Sequence, residues 1–226
     1  MASFTRIEVY NAIIESGLIP LFYQRDLEIA KKIIQACYEG GARLVEFTNR
    51  GDFALQVFIQ LVPYCQKDLP NMILGVGSVT DAATAAIYIA YGANFIVGPM
   101  LLPEIATLCN RRKIPYIPGC GTLSEISRAE ELGAEIVKIF PCDAVGGPKF
   151  VKEILGPCPW TRLMPTGKVF ATQESISAWI KAGVSCVGMG SDLIDKSLVV
   201  EEKWDEISKR VSDVLDWIQE ARAICS

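Results

Sequence analysis

Four stretches of this chain leave a helical pattern in the same way: a glycine, a small residue, then a short apolar run. They are Gly41-Ala42-Arg43-Leu44-Val45-Glu46, Gly92-Ala93-Asn94-Phe95-Ile96-Val97, Gly133-Ala134-Glu135-Ile136-Val137-Lys138 and Gly183-Val184-Ser185-Cys186-Val187-Gly188. Glycine suits the left-handed position that stops a helix. Each unit therefore predicts a helix end feeding directly into a buried strand. A further apolar run precedes each unit, so the chain divides into four βαβα quarters. The eight expected strands cover residues 18–23, 44–48, 72–77, 95–98, 116–119, 136–140, 162–166 and 186–190. Each is short, apolar and followed by turn or cap residues. Strands that alternate with helices imply a parallel sheet with the helices outside it. Eight of them predict an α/β (β/α)8 TIM barrel, which typically takes ~250 residues. The 226 residues present fit one such unit.

Helix starts are marked as well. Asp26, Thr80 and Thr172 are expected N-caps, and Thr122-Leu123-Ser124-Glu125 reads as a capping box. Residues 4–15 read as an N-terminal helix. Trp204, Ile207, Val211, Leu215 and Ile218 stand at helical spacing, so residues 201–223 read as a C-terminal packing helix. No linker or low-complexity stretch divides the chain, and residues 1–226 are expected to form a single domain.

The register of the four units has a chemical consequence. Alternate strands of an eight-stranded barrel contribute side chains to the same interior layer. Glu46, Val97, Lys138 and Gly188 hold equivalent positions and are expected to share a layer. Strand alternation then turns Val45, Phe47, Val137 and Ile139 towards the helices. Gly188 is expected to leave space beside one acid and one amine.

Composition removes several kinds of chemistry. The chain has no histidine. That excludes Ser-His and Cys-His hydrolases and the commonest zinc sites. Acid–base work falls to a perturbed carboxylate, lysine, tyrosine or cysteine. The net charge is −4 with no basic run, so neither nucleic acid nor an anionic membrane is an expected partner. No apolar run approaches the ~20 residues that span a bilayer. The opening Met1-Ala2-Ser3-Phe4-Thr5-Arg6 leads into an amphipathic stretch, not a signal peptide's apolar block. A cytoplasmic protein is expected. The cysteines at 37, 65, 109, 120, 142, 158, 186 and 225 form no C-x-x-C pair and read as reduced, mostly buried thiols.

Lys138 lies in the apolar run Ile136-Val137-Lys138-Ile139-Phe140. Burial lowers a lysine's pKa, and the neutral amine attacks ketones. The competing reading is a strand lysine that snorkels to solvent or pairs structurally with an acid. Glu46 is a candidate proton shuttle for imine chemistry; its competing role is a buried ion pair with Lys138. Such a pair adds little stability relative to an apolar core. Arg50, at the rim after the second strand, suits a substrate carboxylate held bidentately, or is a solvated loop arginine. Pro165-Thr166-Gly167-Lys168 and Gly188-Met189-Gly190-Ser191 follow the last two strands, where barrels of this type often bind phosphate.

Taken together, Val45-Glu46-Phe47-Thr48, Gly75-Val76-Gly77-Ser78-Val79, Ile117-Pro118-Gly119, Val137-Lys138-Ile139-Phe140-Pro141, Pro165-Thr166-Gly167 and Val187-Gly188-Met189-Gly190-Ser191 resemble the 2-keto-3-deoxy-6-phosphogluconate (KDPG) and 4-hydroxy-2-oxoglutarate (KHG) aldolases. The resemblance runs over roughly residues 10 to 200. It implies a homotrimeric barrel that cleaves a 2-keto-4-hydroxy acid to pyruvate and an aldehyde, with no metal and no cofactor. It places the Schiff-base lysine on Lys138 and the catalytic glutamate on Glu46. The pyruvate carboxylate falls to Arg50, assisted by Ser78 and Thr166, and the phosphate to Gly167, Lys168, Gly190 and Ser191. The family commonly has threonine at Ser78 and a second glycine at Lys168.

The expected partner is a small 2-keto acid, most simply KDPG. Three alternatives stay open at this point. One is a sister aldolase acting on KHG, an epimer or an unphosphorylated sugar acid. The second is a non-catalytic phosphosugar-binding barrel. The third is another phosphate-binding barrel enzyme, such as an isomerase or decarboxylase.

Overall fold

The computed structural model describes residues 2–225, with the backbone alone for Cys225. Met1 and the Cys225 thiol, both touched by the expectations above, lie outside the described residues. The elements alternate in chain order. The first half runs α1 (Arg6–Ser16), β1 (Leu18–Phe22), α2 (Leu27–Glu39), β2 (Leu44–Thr48), α3 (Ala54–Asp68), β3 (Ile73–Gly77), α4 (Ala82–Ala90), β4 (Ile96–Val97) and α5 (Pro103–Arg112). The second runs β5 (Tyr116–Ile117), β6 (Gly119–Cys120), α6 (Leu123–Glu131), β7 (Val137–Ile139), α7 (Gly147–Leu155), β8 (Leu163–Pro165), α8 (Gln173–Lys181), β9 (Val187–Met189), α9 (Lys196–Val200) and α10 (Trp204–Cys225).

This is an α/β fold built on a curled parallel sheet. One run of strands is ordered β5-β4-β3-β2-β1-β9 and a second β6-β7-β8. Thr166 bridges Gly188 in parallel fashion between the ends of β8 and β9. The expected fifth strand, residues 116–119, is split into β5 and β6 at Pro118. Proline has no N–H to give to a ladder. Its carbonyl still accepts the backbone N–H of Lys138 at 2.9 Å.

The strand faces separate two apolar clusters. Val45, Phe47, Val137 and Ile139 belong to the large cluster shared with the helices, as strand alternation requires. The inner cluster holds Leu44, Phe95, Val97, Ile136, Met164 and Cys186, and α1 closes it with Val9 and Ile13. α1 starts at Arg6 because Thr5 and Glu8 form a capping box, a Thr-x-x-Glu signal that was there to read.

Cap assignments are partly revised. Asp26 and Thr172 cap α2 and α8. Asp81, not Thr80, caps α4, with its carboxylate accepting from Thr84 N at 2.7 Å. Thr122 caps α6, but the Glu125 carboxylate accepts from Gly121 N instead of closing a simple box.

The four helix-ending glycines take φ of 94°, 101°, 86° and 100° at Gly41, Gly92, Gly133 and Gly183. At Gly183 an added Cβ also meets Leu155 Cδ1 at 2.5 Å. An L side chain in this region costs roughly 1–2 kcal/mol. Gly183→Ala is therefore expected to lower the urea unfolding free energy by about that amount. An unchanged midpoint and slope would contradict the assignment.

Candidate active site

β2 and β7 each place one ionisable side chain on the inner face. Glu46 is 1% exposed and Lys138 4%. Both strands continue an inner-face alternation, Leu44 to Glu46 and Ile136 to Lys138, so the acid and the amine lie above an apolar layer. Glycines make the room. A Cβ on Gly77 would stand 1.6 Å from Glu46 Oε1, whereas one on Gly75, which pairs with Glu46 in register, would meet the Phe95 ring at 2.4 Å. No residue but glycine leaves that carboxylate where it is. Gly188 serves a different neighbour from the one expected. A Cβ there would lie 2.5 Å from Thr166 Oγ1, so the space is occupied by that hydroxyl.

None of the ion pairs among the described residues involves Lys138 or Glu46. The structural ion pair weighed from the sequence is therefore not formed. Burial instead dominates both groups. It raises the Glu46 pKa, a rise that the positive charges of Lys138 and Arg50 oppose. It lowers the Lys138 pKa; the Glu46 charge opposes the fall and Arg50 reinforces it. Each group is driven towards its neutral form, the state a nucleophilic amine and a carboxylic proton donor require. The Lys138 amine stands 4.7 Å from the centre of the Phe140 ring. Glu46 Oε2 and Thr166 Oγ1 are buried without a hydrogen-bond partner in the chain. Unmatched buried polar atoms cost free energy, and two of them on the inner face mark a place for polar ligand atoms.

Arg50 follows β2 and is exposed. Its Nε donates to Ser78 Oγ at 3.0 Å, which fixes the guanidinium and leaves its other N–H groups free to bind. Ser78 sits at φ 58° after β3. Gly190 and Ser191 follow β9. They share with Arg50 and Thr48 a cleft of about 350 Å³. Gly167 and Lys168 follow β8 at φ 93° and 58°. The Lys168 amine lies at the surface, 3.3 Å from Asp143 Oδ2. The structure thus gathers Arg50, Ser78, Gly190 and Ser191 at one rim. It sets Glu46, Lys138 and Thr166 inside, and ties Lys168 to an acid.

Several supporting residues escaped the sequence reading. Thr48 is fully buried and donates to Phe22 O at 3.2 Å. Tyr88 donates to Asn49 Oδ1 at 2.9 Å, anchoring the residue before Arg50. Burial pushes the Tyr88 hydroxyl up to about 12, so it stays a donor. Cys142 N donates to Thr166 O at 3.2 Å, and Cys142 Sγ donates to Gly167 O at 2.7 Å. The loops after β7 and β8 are therefore joined. Only the Gly-x-Gly spacing of Gly75 and Gly77 signalled any of this support in advance. The other contacts join residues distant in the chain. Among the described residues, no group of three or more His, Cys, Asp or Glu is placed to hold a metal ion.

Comparison with known proteins follows the same lines. The family described as KDPG and KHG aldolase matches residues 9–210. A 2-dehydro-3-deoxy-phosphogluconate aldolase of Pseudoalteromonas atlantica is 31% identical, over 90% of this chain and 92% of its own. One from Haemophilus influenzae is 29% identical, over 96% and 100%. A crystal structure of KDPG aldolase from Legionella pneumophila, with pyruvate captured as a covalent carbinolamine, superposes with a TM-score of 0.82. It is 27% identical and covers 90% of this chain and 96% of that one.

Proposed function

The chain belongs to the KDPG and KHG aldolase family, whose members are lyases, and from that premise we propose that it is a class I aldolase using Lys138 as its amine nucleophile and Glu46 as its acid–base group. The observation that carries the reading is a buried lysine with no ion-pair partner, in one layer with a buried carboxylate whose Oε2 has no hydrogen-bond partner in the chain. The proposed unit is a single domain closed as a (β/α)8 barrel. β5 and β6 act as one strand across Pro118, and the Thr166–Gly188 bridge joins the last two strands. A cytoplasmic homotrimer that needs no metal or cofactor completes the proposal.

The neutral Lys138 amine attacks the C2 ketone of a 2-keto-4-hydroxy acid to give a carbinolamine. The adduct captured in the Legionella pneumophila enzyme is of this kind. Glu46 gives a proton to the departing hydroxyl, water leaves, and a protonated imine forms. The imine draws the C3–C4 bonding electrons as that bond breaks. The C4 hydroxyl gives its proton to the Glu46 carboxylate, and the aldehyde departs. Glu46 then returns that proton to C3 of the enamine, and hydrolysis of the resulting imine releases pyruvate and the free amine. Arg50, steadied by Ser78, holds the C1 carboxylate, and Thr166 Oγ1 offers a donor beside it. Gly167, Gly190 and Ser191 line the far end of the substrate, while Lys168 faces Asp143 at the surface beside them. KDPG is the proposed substrate, with KHG as the second reading.

Pyruvate with borohydride is expected to leave a reduced adduct on Lys138, seen as a mass increase on the peptide that carries it. An adduct confined to exposed lysines, or none, would overturn the aldolase mechanism.

A further inference from the structure

The cleft beside Arg50 carries a second cation that the reading above does not use. Thr48, Arg50, Tyr23, Gly190, Ser191 and Lys196 all line it. Its lining includes two cations and no carboxylate. Arg50 is already engaged by Ser78 at one end. Lys196 is exposed and, among the described residues, forms neither an ion pair nor a hydrogen bond. The acid next to it in sequence, Asp195, is occupied: it accepts from Ser197 N at 2.7 Å and Ser197 Oγ at 2.6 Å. Lys168 is in the opposite state, with Asp143 3.3 Å from its amine.

We propose that Lys196, rather than Lys168, is the residue that selects substrates bearing a terminal oxyanion on the aldehyde half. This rests on the aldolase reading, in which Arg50 holds the carboxylate at the other end. Two cations in one acid-free cleft match a ligand that carries two negative groups. A cation already facing a carboxylate must break that contact before it can bind another anion. A cation without a partner pays no such cost. Ser191 and Gly190 line the same cleft and offer a hydroxyl and backbone N–H to the same group. The terminal oxyanion is a phosphate or a carboxylate, and the test separates them.

The test measures binding of glycerol 3-phosphate by calorimetry to the full chain, without turnover. Lys196→Met keeps the stem and removes the charge. It is expected to weaken binding about tenfold or more, in the range of a charge-assisted hydrogen bond. Lys196→Arg should restore most of it, and Lys168→Met should change it less than about threefold, as for an exposed pair. In pyruvate addition, Lys196→Met should raise KM for glyceraldehyde 3-phosphate, relative to glyceraldehyde, if the selected group is phosphate. It should raise KM for glyoxylate instead if the group is carboxylate. Three results overturn the proposal: no binding of glycerol 3-phosphate to the wild type together with no selective KM rise for glyoxylate in Lys196→Met, equal KM changes for all three aldehydes, or a larger effect from Lys168→Met. Borohydride trapping on the same samples keeps the two questions apart. A trapped adduct with an insensitive Lys196→Met rejects the role of Lys196 alone. Phosphate binding that depends on Lys196, with no adduct, rejects the aldolase mechanism alone.

Discussion

Lys138→Met is expected to remove the borohydride-trapped adduct and to lower aldol cleavage by on the order of 10⁴-fold or more, because loss of a covalent nucleophile leaves only binding and electrostatic contributions. The same change should stabilise the fold. Lys138 is buried and burial lowers its pKa, so folding at neutral pH works against the amine's preference for charge in water. The sign follows from proton counting. Below the ordinary lysine value of 10.5 the unfolded chain binds more protons at this position than the folded one, so the penalty grows as pH falls from there to the lowered folded value. It vanishes where both states are neutral. The stability gain in Lys138→Met should therefore be present at neutral pH and disappear above the ordinary lysine value. Denaturant titrations at the two pH values check this, and a loss of stability at neutral pH would contradict it. Wild-type cleavage should fall as the medium is acidified through the lowered Lys138 pKa, since only the neutral amine attacks.

Glu46→Gln is expected to cost 10²- to 10⁴-fold in turnover, the typical contribution of a positioned acid–base group. Glutamine matches the carboxylate in size and fits above Gly77, where even one methyl would collide. Loss of activity then reports loss of the transferable proton and not of packing. Burial raises the Glu46 pKa, which favours the protonated carboxyl that gives its proton in dehydration and can take one back later. The wild-type dependence on Glu46 should thus span dehydration and enamine protonation alike. Single-turnover measurements of imine formation and of aldehyde release should both slow. An unchanged chemical step in the variant removes Glu46 from the mechanism.

How much of this could be read from the chain differs between fold and site. The glycine units announced their helix ends, because a left-handed backbone restricts the residue choice at one position. Alternation predicted that Val45 and Phe47 face away from Glu46, since a strand leaves no other choice. Local chemistry misled at Thr80, where the neighbouring carboxylate of Asp81 is the better placed acceptor. The break at Pro118 follows from the missing N–H, yet alternation alone runs straight through it. Within the site, Lys138 and Glu46 stood out because charge inside an apolar strand is rare. The roles of Ser78 and Thr166 came from resemblance. The contacts of Tyr88 with Asn49, of Cys142 with Gly167 and of Lys168 with Asp143 join residues 25 to 39 positions apart. No periodicity encodes them.

The apolar layer beneath Glu46 and Lys138, formed by Leu44, Phe95, Ile136 and Cys186 and closed by α1, has a consequence for how such a chain can diverge. It holds Glu46 and Lys138 from below, whereas Lys168 sits in an exposed loop and Lys196 at the start of a short helix. Changes at those two positions alter charge at the mouth without disturbing what fixes the amine and the acid. Appetite for new aldehydes can therefore drift from one descendant to the next by single exposed substitutions, each close to neutral for folding, while the pair proposed to break the carbon–carbon bond stays as it is.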